Sequence, residues 1–302
     1  MSEGESMGVG QAGGDPGRVV SAAGVRMPRI IYGTAWKKER TADLVAMALR
    51  AGFRGLDTAC QPKHYHEPGV GEGLAAVIAE GLARADVYVQ TKFTPLRGQD
   101  PENLPYDGDA AVGEQVRQSF AASLRNLRTD YLDALVLHSP YPEDKDTLEA
   151  WSAMEELCDA GGVRQLGVSN CYELDRLKMI YEAARVKPAV IQNRFYAKTG
   201  YDRELREFCR STGVLYQSFW TLTANPEVLA QPVLKDLAQT YKRTPAQLFF
   251  RYLTQQGIVC LTGTSSREHM AQDLAIFDLV LNTAECEQIG ALLQPEANVS
   301  AA

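Results

Sequence analysis

Charged side chains follow three consecutive apolar runs of the sequence, at the point where each run ends. Asp57 ends one run, Lys92 follows the next, and His138 follows the third. A carboxylate, an ammonium and an imidazole held together can shift a neighbouring pKa and move a proton. Each residue alone has an ordinary interpretation, such as a helix cap or a solvated lysine. Their recurrence at successive run ends favours one shared catalytic site.

The apolar runs predict β-strands, and the segments between them carry the apolar spacing of helices. Eight strands that alternate with helices in 302 residues favour a single-domain, eight-stranded parallel (β/α)8 TIM barrel. A doubly wound sheet is the alternative, but it usually has a GxGxxG turn after its first strand, and none is present. The predicted strands are 29–32, 53–56, 87–90, 132–137, 165–168, 189–192, 214–217 and 258–261.

Six helices are predicted from spacing and end signals. One begins at Thr41 as a capping residue and is stopped by Gly52. The segment Gly69–Gly73 is glycine-rich and opens a helix after a polar loop, so a dinucleotide-binding role for it is weakly indicated. The other five predicted helices are 111–127, 145–160, 172–184, 202–211 and 244–255.

Composition excludes several classes of protein. The chain has 31 basic and 38 acidic residues and a net charge of −7, which argues against nucleic-acid binding. No apolar run approaches the roughly 20 residues that cross a bilayer. Six widely spaced cysteines favour reduced thiols in a cytoplasmic protein over disulfides or a zinc site. Residues 1–18 are predicted to be a disordered tail, and residues 19–302 to be the barrel.

More polar residues end the later strands. Ser169 and Asn170 end the fifth strand, and Gln192 ends the sixth. The segment 95–110 lacks any secondary-structure period and follows the third strand. Active sites of parallel barrels lie at the carboxyl ends of the strands, so we expect all these residues at one mouth.

In their order and spacing these motifs resemble the aldo-keto reductase superfamily, over about residues 27–293. Members of that family are eight-stranded barrels that reduce carbonyls with NAD(P)H through an Asp-Tyr-Lys-His tetrad. The resemblance implies an oxidoreductase whose catalytic residues are Asp57, Tyr65, Lys92 and His138. The motifs that carry it are Gly55-Leu-Asp57-Thr-Ala59, Tyr65 with Glu67 and Val70-Gly71, Thr91-Lys92, Asp130-Tyr-Leu-Asp133 through Leu137-His138, Gly167-Val-Ser169-Asn170, and Gln192.

The tetrad has a clear chemical logic for carbonyl reduction. A phenol has an unperturbed pKa near 10, and the Lys92 ammonium is expected to lower that of Tyr65 toward the working range. Asp57 would hold Lys92, and His138 would orient the carbonyl. Here Tyr65 follows Asp57 by eight residues, whereas the family interval is commonly five, and position 62 is proline. Tyr65 is the phenol available in this loop.

The resemblance also implies a cofactor site and a substrate pocket. Ser169, Asn170 and Gln192 match the residues that hold the nicotinamide carboxamide. Phe219 is the expected stacking ring, with Trp220 and Tyr216 as alternates. Trp36 and Phe93 are expected pocket walls, and the short C-terminal segment suggests a permissive pocket. The remaining cofactor residues, after the eighth strand, are Gly263, Thr264, Ser265, Arg267 and His269.

The cofactor expected is NADPH, with NADH possible. In the family a Lys after strand eight and a later Arg bind the adenosine 2′-phosphate, but Gly263 and His269 stand at those positions here. Arg267 and the helix N-terminus remain as anion-binding groups. We therefore predict a reduced preference for NADPH.

Other interpretations stay open at this point. A cofactor-binding regulatory protein of the same fold with little turnover is the main alternative. Lys92 could be the Schiff-base lysine of an aldolase. His64 and His66 could bind a metal, but no third ligand with suitable spacing follows, so no metal is predicted. The expected partner is a small carbonyl substrate, without nucleic acid or membrane, and the chain is expected to be a monomer or small homo-oligomer.

Overall fold

The computed structural model describes residues 15–293, and its centre is a closed barrel of eight parallel strands. The predicted (β/α)8 architecture is therefore confirmed, and each predicted strand overlaps an observed one. Strands β1 and β2 form a short antiparallel hairpin that precedes the barrel and was not predicted. The strands are β1 (Arg18–Val20), β2 (Arg26–Pro28), β3 (Ile30–Gly33), β4 (Gly55–Asp57), β5 (Tyr88–Phe93), β6 (Ala134–Leu137), β7 (Leu166–Ser169), β8 (Val190–Arg194), β9 (Leu215–Phe219) and β10 (Val259–Thr262).

The barrel closes by pairing its first strand with its last. The order is β10-β3-β4-β5-β6-β7-β8-β9, and Thr262 of β10 pairs with Tyr32 of β3. The loops that follow β3 and β10 are therefore neighbours at the carboxyl end of the barrel, although more than 200 residues separate them in sequence.

Eleven helices within the described residues surround the barrel. The predicted helices correspond to α1, α3 to α6 and α9, and the helices expected at Gly69–Gly73 and after the eighth strand correspond to α2 and α10. No bounds were predicted for α7, α8 and α11. They are α1 (Thr41–Ala51), α2 (Glu67–Ala79), α3 (Val112–Leu127), α4 (Asp144–Asp159), α5 (Leu174–Ala183), α6 (Arg203–Thr212), α7 (Pro226–Leu229), α8 (Pro232–Tyr241), α9 (Pro245–Gln255), α10 (Arg267–Leu274) and α11 (Thr283–Ala291).

Capping residues at the ends of α1 and α9 can be compared with those predicted from the sequence. Gly52 ends α1 with φ of 118°, a left-handed conformation that glycine adopts without strain. Thr244 accepts the Gln247 N–H as part of a capping box at α9. The capping role predicted for Thr41 is wrong, because Thr41 is the first residue of α1 and its hydroxyl donates to the Lys38 carbonyl.

The glycines of α2 have a packing role. A Cβ at Gly71 would lie 2.0 Å from the Asn126 carbonyl oxygen, and one at Gly73 would lie 2.5 Å from that of Ala42. These glycines let α2 approach α1 and α3 at backbone distance. The sequence Gly69–Gly73 is therefore explained by helix packing, which removes the weak dinucleotide interpretation.

Successive side chains of a strand point alternately into the barrel and out toward the helices, so the core has two parts. One apolar cluster lies between barrel and helices, and a smaller one fills the barrel near its amino-terminal end with Met27, Ile31, Val190 and Val259. Above this floor the interior becomes polar. The strands thus direct their polar side chains toward the carboxyl end, where the site lies.

The Asp130–Asp133 motif lies at the opposite end. Asp133 accepts the Val89 N–H at 2.9 Å and forms ion pairs with Arg84 at 3.0 Å and Arg164 at 2.9 Å. This part of the sequence signature therefore fixes β5 to β6 at the barrel floor and does not touch the mouth.

The predicted tail falls mostly outside the described residues. Arg18, its last residue, instead begins β1 and pairs with Pro28. Among the helices of residues 15–293, none combines the length and the apolar character needed to cross a membrane.

Candidate active site

Lys92 and Asp57 form a buried ion pair on neighbouring strands. Lys92 Nζ lies 2.8 Å from each Asp57 oxygen and 2.8 Å from the Thr58 carbonyl, and the lysine is 1% exposed. Burial alone lowers the pKa of Lys92, but Asp57 and Tyr65 outweigh it and raise that pKa above its ordinary value. A Schiff-base lysine needs a lowered pKa, so this arrangement opposes the aldolase interpretation.

Tyr65 lies beside this ion pair despite the longer loop before it. Lys92 Nζ is 5.1 Å from the centroid of the Tyr65 ring, and the rings of Tyr65 and His138 meet edge to face at 6.1 Å. The loop is folded back by the Tyr65 N–H, which donates to the Gln61 carbonyl at 3.0 Å. The four residues of the predicted tetrad therefore converge.

The pKa of Tyr65 is raised, whereas the sequence predicted that it would be lowered. Burial raises the pKa of the phenol, and Asp57 adds to this, whereas the Lys92 ammonium lowers it without overcoming burial. The net direction is upward, because removing a phenolate from water costs more than one nearby cation returns. Tyr65 is consequently protonated at neutral pH, the state that a proton donor requires.

His138 is a neutral imidazole in this environment. Burial first, then repulsion by Lys92 and His64, holds its pKa well below the ordinary 6.5. The backbone N–H of His138 donates to the Phe93 carbonyl at 2.8 Å, and the backbone carbonyl of His138 accepts from Asn170 Nδ2 at 2.9 Å. The backbone of β6 is thus anchored on both sides as it enters the mouth.

Thr94 is a neighbour of His138 that the sequence reasoning missed. Its hydroxyl lies 2.7 Å from His138 Nδ1, and its carbonyl accepts from Tyr106 Oη at 2.7 Å and from Gln99 Nε2 at 3.2 Å. Tyr106 and Gln99 belong to the segment 95–110. That segment, predicted to build the mouth, fixes a residue that contacts the imidazole.

Three glutamine side chains surround Asp57 inside the barrel. Gln90 Nε2 and Gln192 Nε2 donate to Asp57 Oδ1 at 2.6 Å and 2.9 Å, and both donate to Gln217 Oε1 at 2.8 Å and 2.9 Å. Asp57 is therefore held by two amides as well as by Lys92. Buried carboxylates need such donors, since an unpaired charge in the interior is costly.

The residues expected to hold the carboxamide are close together. Ser169 Oγ donates to the Gln192 carbonyl at 2.7 Å, and Asn170 Nδ2 lies 3.2 Å from Ser169 Oγ. Both hydrogens of Gln192 Nε2 are used by Asp57 and Gln217, so Oε1 is the part of Gln192 left to bind a ligand. A carboxamide N–H suits this acceptor.

The three candidate stacking rings point in different directions. Phe219 packs against the interior cluster at the end of β9. It lies two residues after Gln217, which points into the barrel, so both side chains share that face. Tyr216 faces outward and donates to Asp202 Oδ2 at 2.8 Å, so it cannot reach the mouth. Trp220 is 49% exposed at the rim, with φ of 55°. Phe219 remains the choice for a ring at the barrel axis.

The loop after β10 meets a lysine from the loop after β3. Lys37 Nζ donates to the Gly263 carbonyl, and a Cβ at Gly263 would lie 3.6 Å from that ammonium. Ser266, and neither Thr264 nor Ser265, caps α10 by accepting the His269 N–H at 3.3 Å. Thr264 Oγ1 instead accepts the Ser266 N–H at 3.1 Å. Ser265, Arg267 and His269 are exposed.

One of the two expected substrate contacts is wrong. Phe93 is 0% exposed and packs against Tyr106, because it follows the inward-facing Lys92 and must face outward. Trp36 is 57% exposed, and its ring lies 4.1 Å from that of His64. Trp36 therefore stays available at the rim, and its stacking gives His64 a packing partner.

Comparison with known proteins identifies the family. The sequence matches the family model described as Aldo/keto reductase family over residues 29–294. The chain belongs to the aldo/keto reductase family. It is 30% identical to an uncharacterized oxidoreductase, YtbE, of Bacillus subtilis, over 89% of this chain and 90% of that protein. It is 29% identical to a glyoxal reductase of the same organism, over 90% of this chain and 91% of that protein.

Solved structures agree with this assignment. An aldo/keto reductase from Brucella melitensis is 27% identical and superposes with a TM-score of 0.77, covering 91% of this chain and 98% of that one. Aldo/keto reductases reduce carbonyls with a nicotinamide cofactor, so this chain is an NAD(P)H-dependent oxidoreductase.

This aldo/keto reductase has site residues that motif matching does not reveal. Gln90 and Thr94 lie two residues on either side of Lys92. Alternate residues of a strand share a face, so this spacing was the available signal. Lys37 has no such signal, because its neighbour Gly263 is distant in sequence.

Proposed function

We propose that this aldo/keto reductase reduces an aldehyde or ketone to the alcohol with NADPH, and that Tyr65 donates the proton. The observation that carries the proposal is the convergence of Tyr65, Lys92, Asp57 and His138 at the carboxyl end of the barrel. The nicotinamide supplies the hydride that is added to the carbonyl carbon. The chain's own residues supply the proton, the charge and the orientation.

The proton passes from the Tyr65 hydroxyl to the carbonyl oxygen as negative charge develops there. The phenolate left behind is stabilised by the adjacent Lys92 ammonium, which Asp57 keeps charged and in place. Neutral His138 donates from Nε2 to the same oxygen and so fixes its position. Water then reprotonates Tyr65.

The same residues fit a nicotinamide cofactor. Gln192 Oε1 accepts no hydrogen bond from the described residues, and Phe219 ends the neighbouring strand β9, where it packs against the interior cluster. Ser169 and Asn170 complete this polar edge. These groups would hold the carboxamide and the ring, with Gln192 as acceptor.

Preference for NADPH is proposed to come from Lys37 together with Arg267. Relatives typically place a lysine at the position of Gly263, and here the Lys37 ammonium lies next to that position. Burial, then Arg40, lowers the pKa of Lys37, and Arg40 adds a second positive charge nearby. Lys37 and Arg267 are two cations beside the N-terminus of α10, and such a pair favours a phosphate over a hydroxyl.

The experiment that tests the proposal follows NADPH consumption with a panel of aldehydes and ketones. Wild-type protein should turn over, and Tyr65→Phe should lower kcat by about 10²- to 10⁴-fold while leaving NADPH binding unchanged. Tyr241→Phe, on the outer helix α8, is the matched control. If the panel shows no turnover although NADPH binds, the chain is instead the cofactor-binding regulatory protein considered above.

A further inference from the structure

Arg194 is a cationic residue at the mouth that the tetrad and the cofactor residues do not explain. It is the last residue of β8 and shares its inward face with Gln192 and Val190. Its backbone pairs in register with Phe219 of β9. The side chain therefore projects from the carboxyl end of the barrel, two residues beyond Gln192 on the same face of the strand.

Aromatic rings hold the Arg194 guanidinium in place. Its central carbon lies 4.2 Å from the centroid of the Trp220 ring and 5.4 Å from that of Tyr196. Trp220 adopts a left-handed backbone conformation, which is uncommon for a bulky residue and brings its ring to the rim. Cations stack favourably on such rings, so the guanidinium is positioned before any ligand arrives.

The guanidinium has no anionic partner among residues 15–293. Other arginines of the chain do: Arg164 pairs with Asp133 at 2.9 Å, and Arg176 pairs with Asp144 at 2.8 Å. Arg194 Nε is buried and has no hydrogen-bond acceptor. Buried donors without a partner are uncommon, and the other two arginines that have one, Arg243 and Arg251, lie outside the barrel strands, whereas Arg194 ends a strand at the mouth.

Hydrogen bonds connect the backbone of Arg194 to His138 of the tetrad through Tyr172 and Asn170. The backbone N–H of Arg194 donates to Tyr172 Oη at 3.2 Å, and Tyr172 Oη donates to Asn170 Oδ1 at 3.3 Å. Asn170 in turn binds the carbonyl of His138. None of these contacts comes from β3 or β10, where the cationic phosphate site is proposed.

We propose that Arg194 binds a carboxylate carried by the carbonyl substrate. This inference rests on the proposed reductase function and specifies its substrate class as carboxylated aldehydes or ketones. A planar guanidinium presents paired donors that match a carboxylate, and stacking on Trp220 engages its flat face rather than those donors. The substrate would thus be anchored by its acid group while the carbonyl meets Tyr65 and His138.

The test compares two substrates that differ only in charge, 4-carboxybenzaldehyde and its methyl ester. Wild-type protein should show a kcat/KM about tenfold or more higher for the acid, mainly through KM. Arg194→Met should abolish that preference and leave the ester unchanged, and Arg194→Lys should retain part of it. Arg185→Met, which removes an exposed arginine on the outer surface, should behave as wild type.

Two binding measurements separate this inference from the proposed function. Calorimetry with 4-(hydroxymethyl)benzoate and its methyl ester measures carboxylate recognition without turnover, and the acid should lose affinity in Arg194→Met. The NADPH dissociation constant, from fluorescence quenching, should be the same in both proteins. Equal wild-type affinity for acid and ester overturns the inference. Weaker NADPH binding with parallel losses for both aldehydes also overturns it, since the anion would then be the cofactor diphosphate.

Discussion

The Thr94 hydroxyl lies 2.7 Å from His138 Nδ1, so the active-site imidazole is tied to the segment 95–110. A neutral imidazole has two tautomers, and only the one protonated at Nε2 can donate to a substrate carbonyl. The Thr94 hydroxyl can donate to Nδ1 in that tautomer. The long loop after β5 therefore acts on the site through one side chain.

Removing the Thr94 hydroxyl should lower turnover. Thr94→Val leaves Nδ1 of His138 without its partner, and we expect kcat to fall by about tenfold, consistent with the loss of one hydrogen bond. Thr94→Ser keeps the hydroxyl and should restore most of the activity. Steady-state kinetics together with the 15N chemical shifts of His138 would check this. Equal activity of the valine and serine variants would contradict it.

Replacing Lys92 should affect both catalysis and stability. Lys92→Met leaves Asp57 buried without a cation, which should cost about 3 kcal/mol in the free energy of unfolding. Turnover should also fall, because the Tyr65 phenolate loses its neighbouring charge. Denaturant unfolding measures the first effect and NADPH consumption measures the second. The double variant Asp57→Asn/Lys92→Met should recover stability but not turnover. A Lys92→Met protein with wild-type stability and rate would refute both roles.

Cofactor preference should depend on Lys37. Lys37→Met is expected to weaken NADPH binding by about five- to tenfold with little effect on NADH, because one cation beside the 2′-phosphate is lost. Arg267→Ala should narrow the preference in the same direction. Lys38→Met, at the adjacent exposed position, is the control. Dissociation constants for NADPH and NADH, measured by fluorescence quenching, test this prediction. It is contradicted if the wild-type protein binds NADH as tightly as NADPH or more tightly.

The pH dependence of reduction follows from two opposite shifts. Burial raises the pKa of Tyr65 from its ordinary value, so the proton donor stays protonated through neutral and mildly alkaline pH. The pKa of His138 lies well below 6.5, so the imidazole stays neutral until the solution is strongly acidic. We expect kcat/KM to be flat from about pH 6.5 to pH 9. An acidic decline centred near pH 6.5 would show that His138 titrates normally.

Three residues of the tetrad could be predicted because they lie at the ends of strands that the sequence pattern reveals. Asp57, Lys92 and His138 each end a recognisable strand, and parallel strands bring their carboxyl ends to one mouth. Tyr65 was predicted from the family motif alone, and its three extra loop residues left its position open. Only the folded loop, with the Tyr65 N–H on Gln61, brings the phenol beside Lys92.

The direction in which side chains point required the structure. Phe93 was placed at the substrate because it follows Lys92, yet that adjacency sends it to the opposite side of the strand. Likewise, the pKa of Tyr65 depends on burial as well as on Lys92, and burial is a property of the whole fold. Sequence supplies the charges near a group but not the amount of water around it.

The sequence by itself determined the barrel, its strand order and the residues that end its strands, because these follow from local periodicity and chain order. Tertiary structure decided the contacts between distant loops. Pairing of β10 with β3 closes the barrel and brings Lys37 against Gly263, 226 residues apart. Such contacts depend on closure of the sheet, which no local pattern specifies.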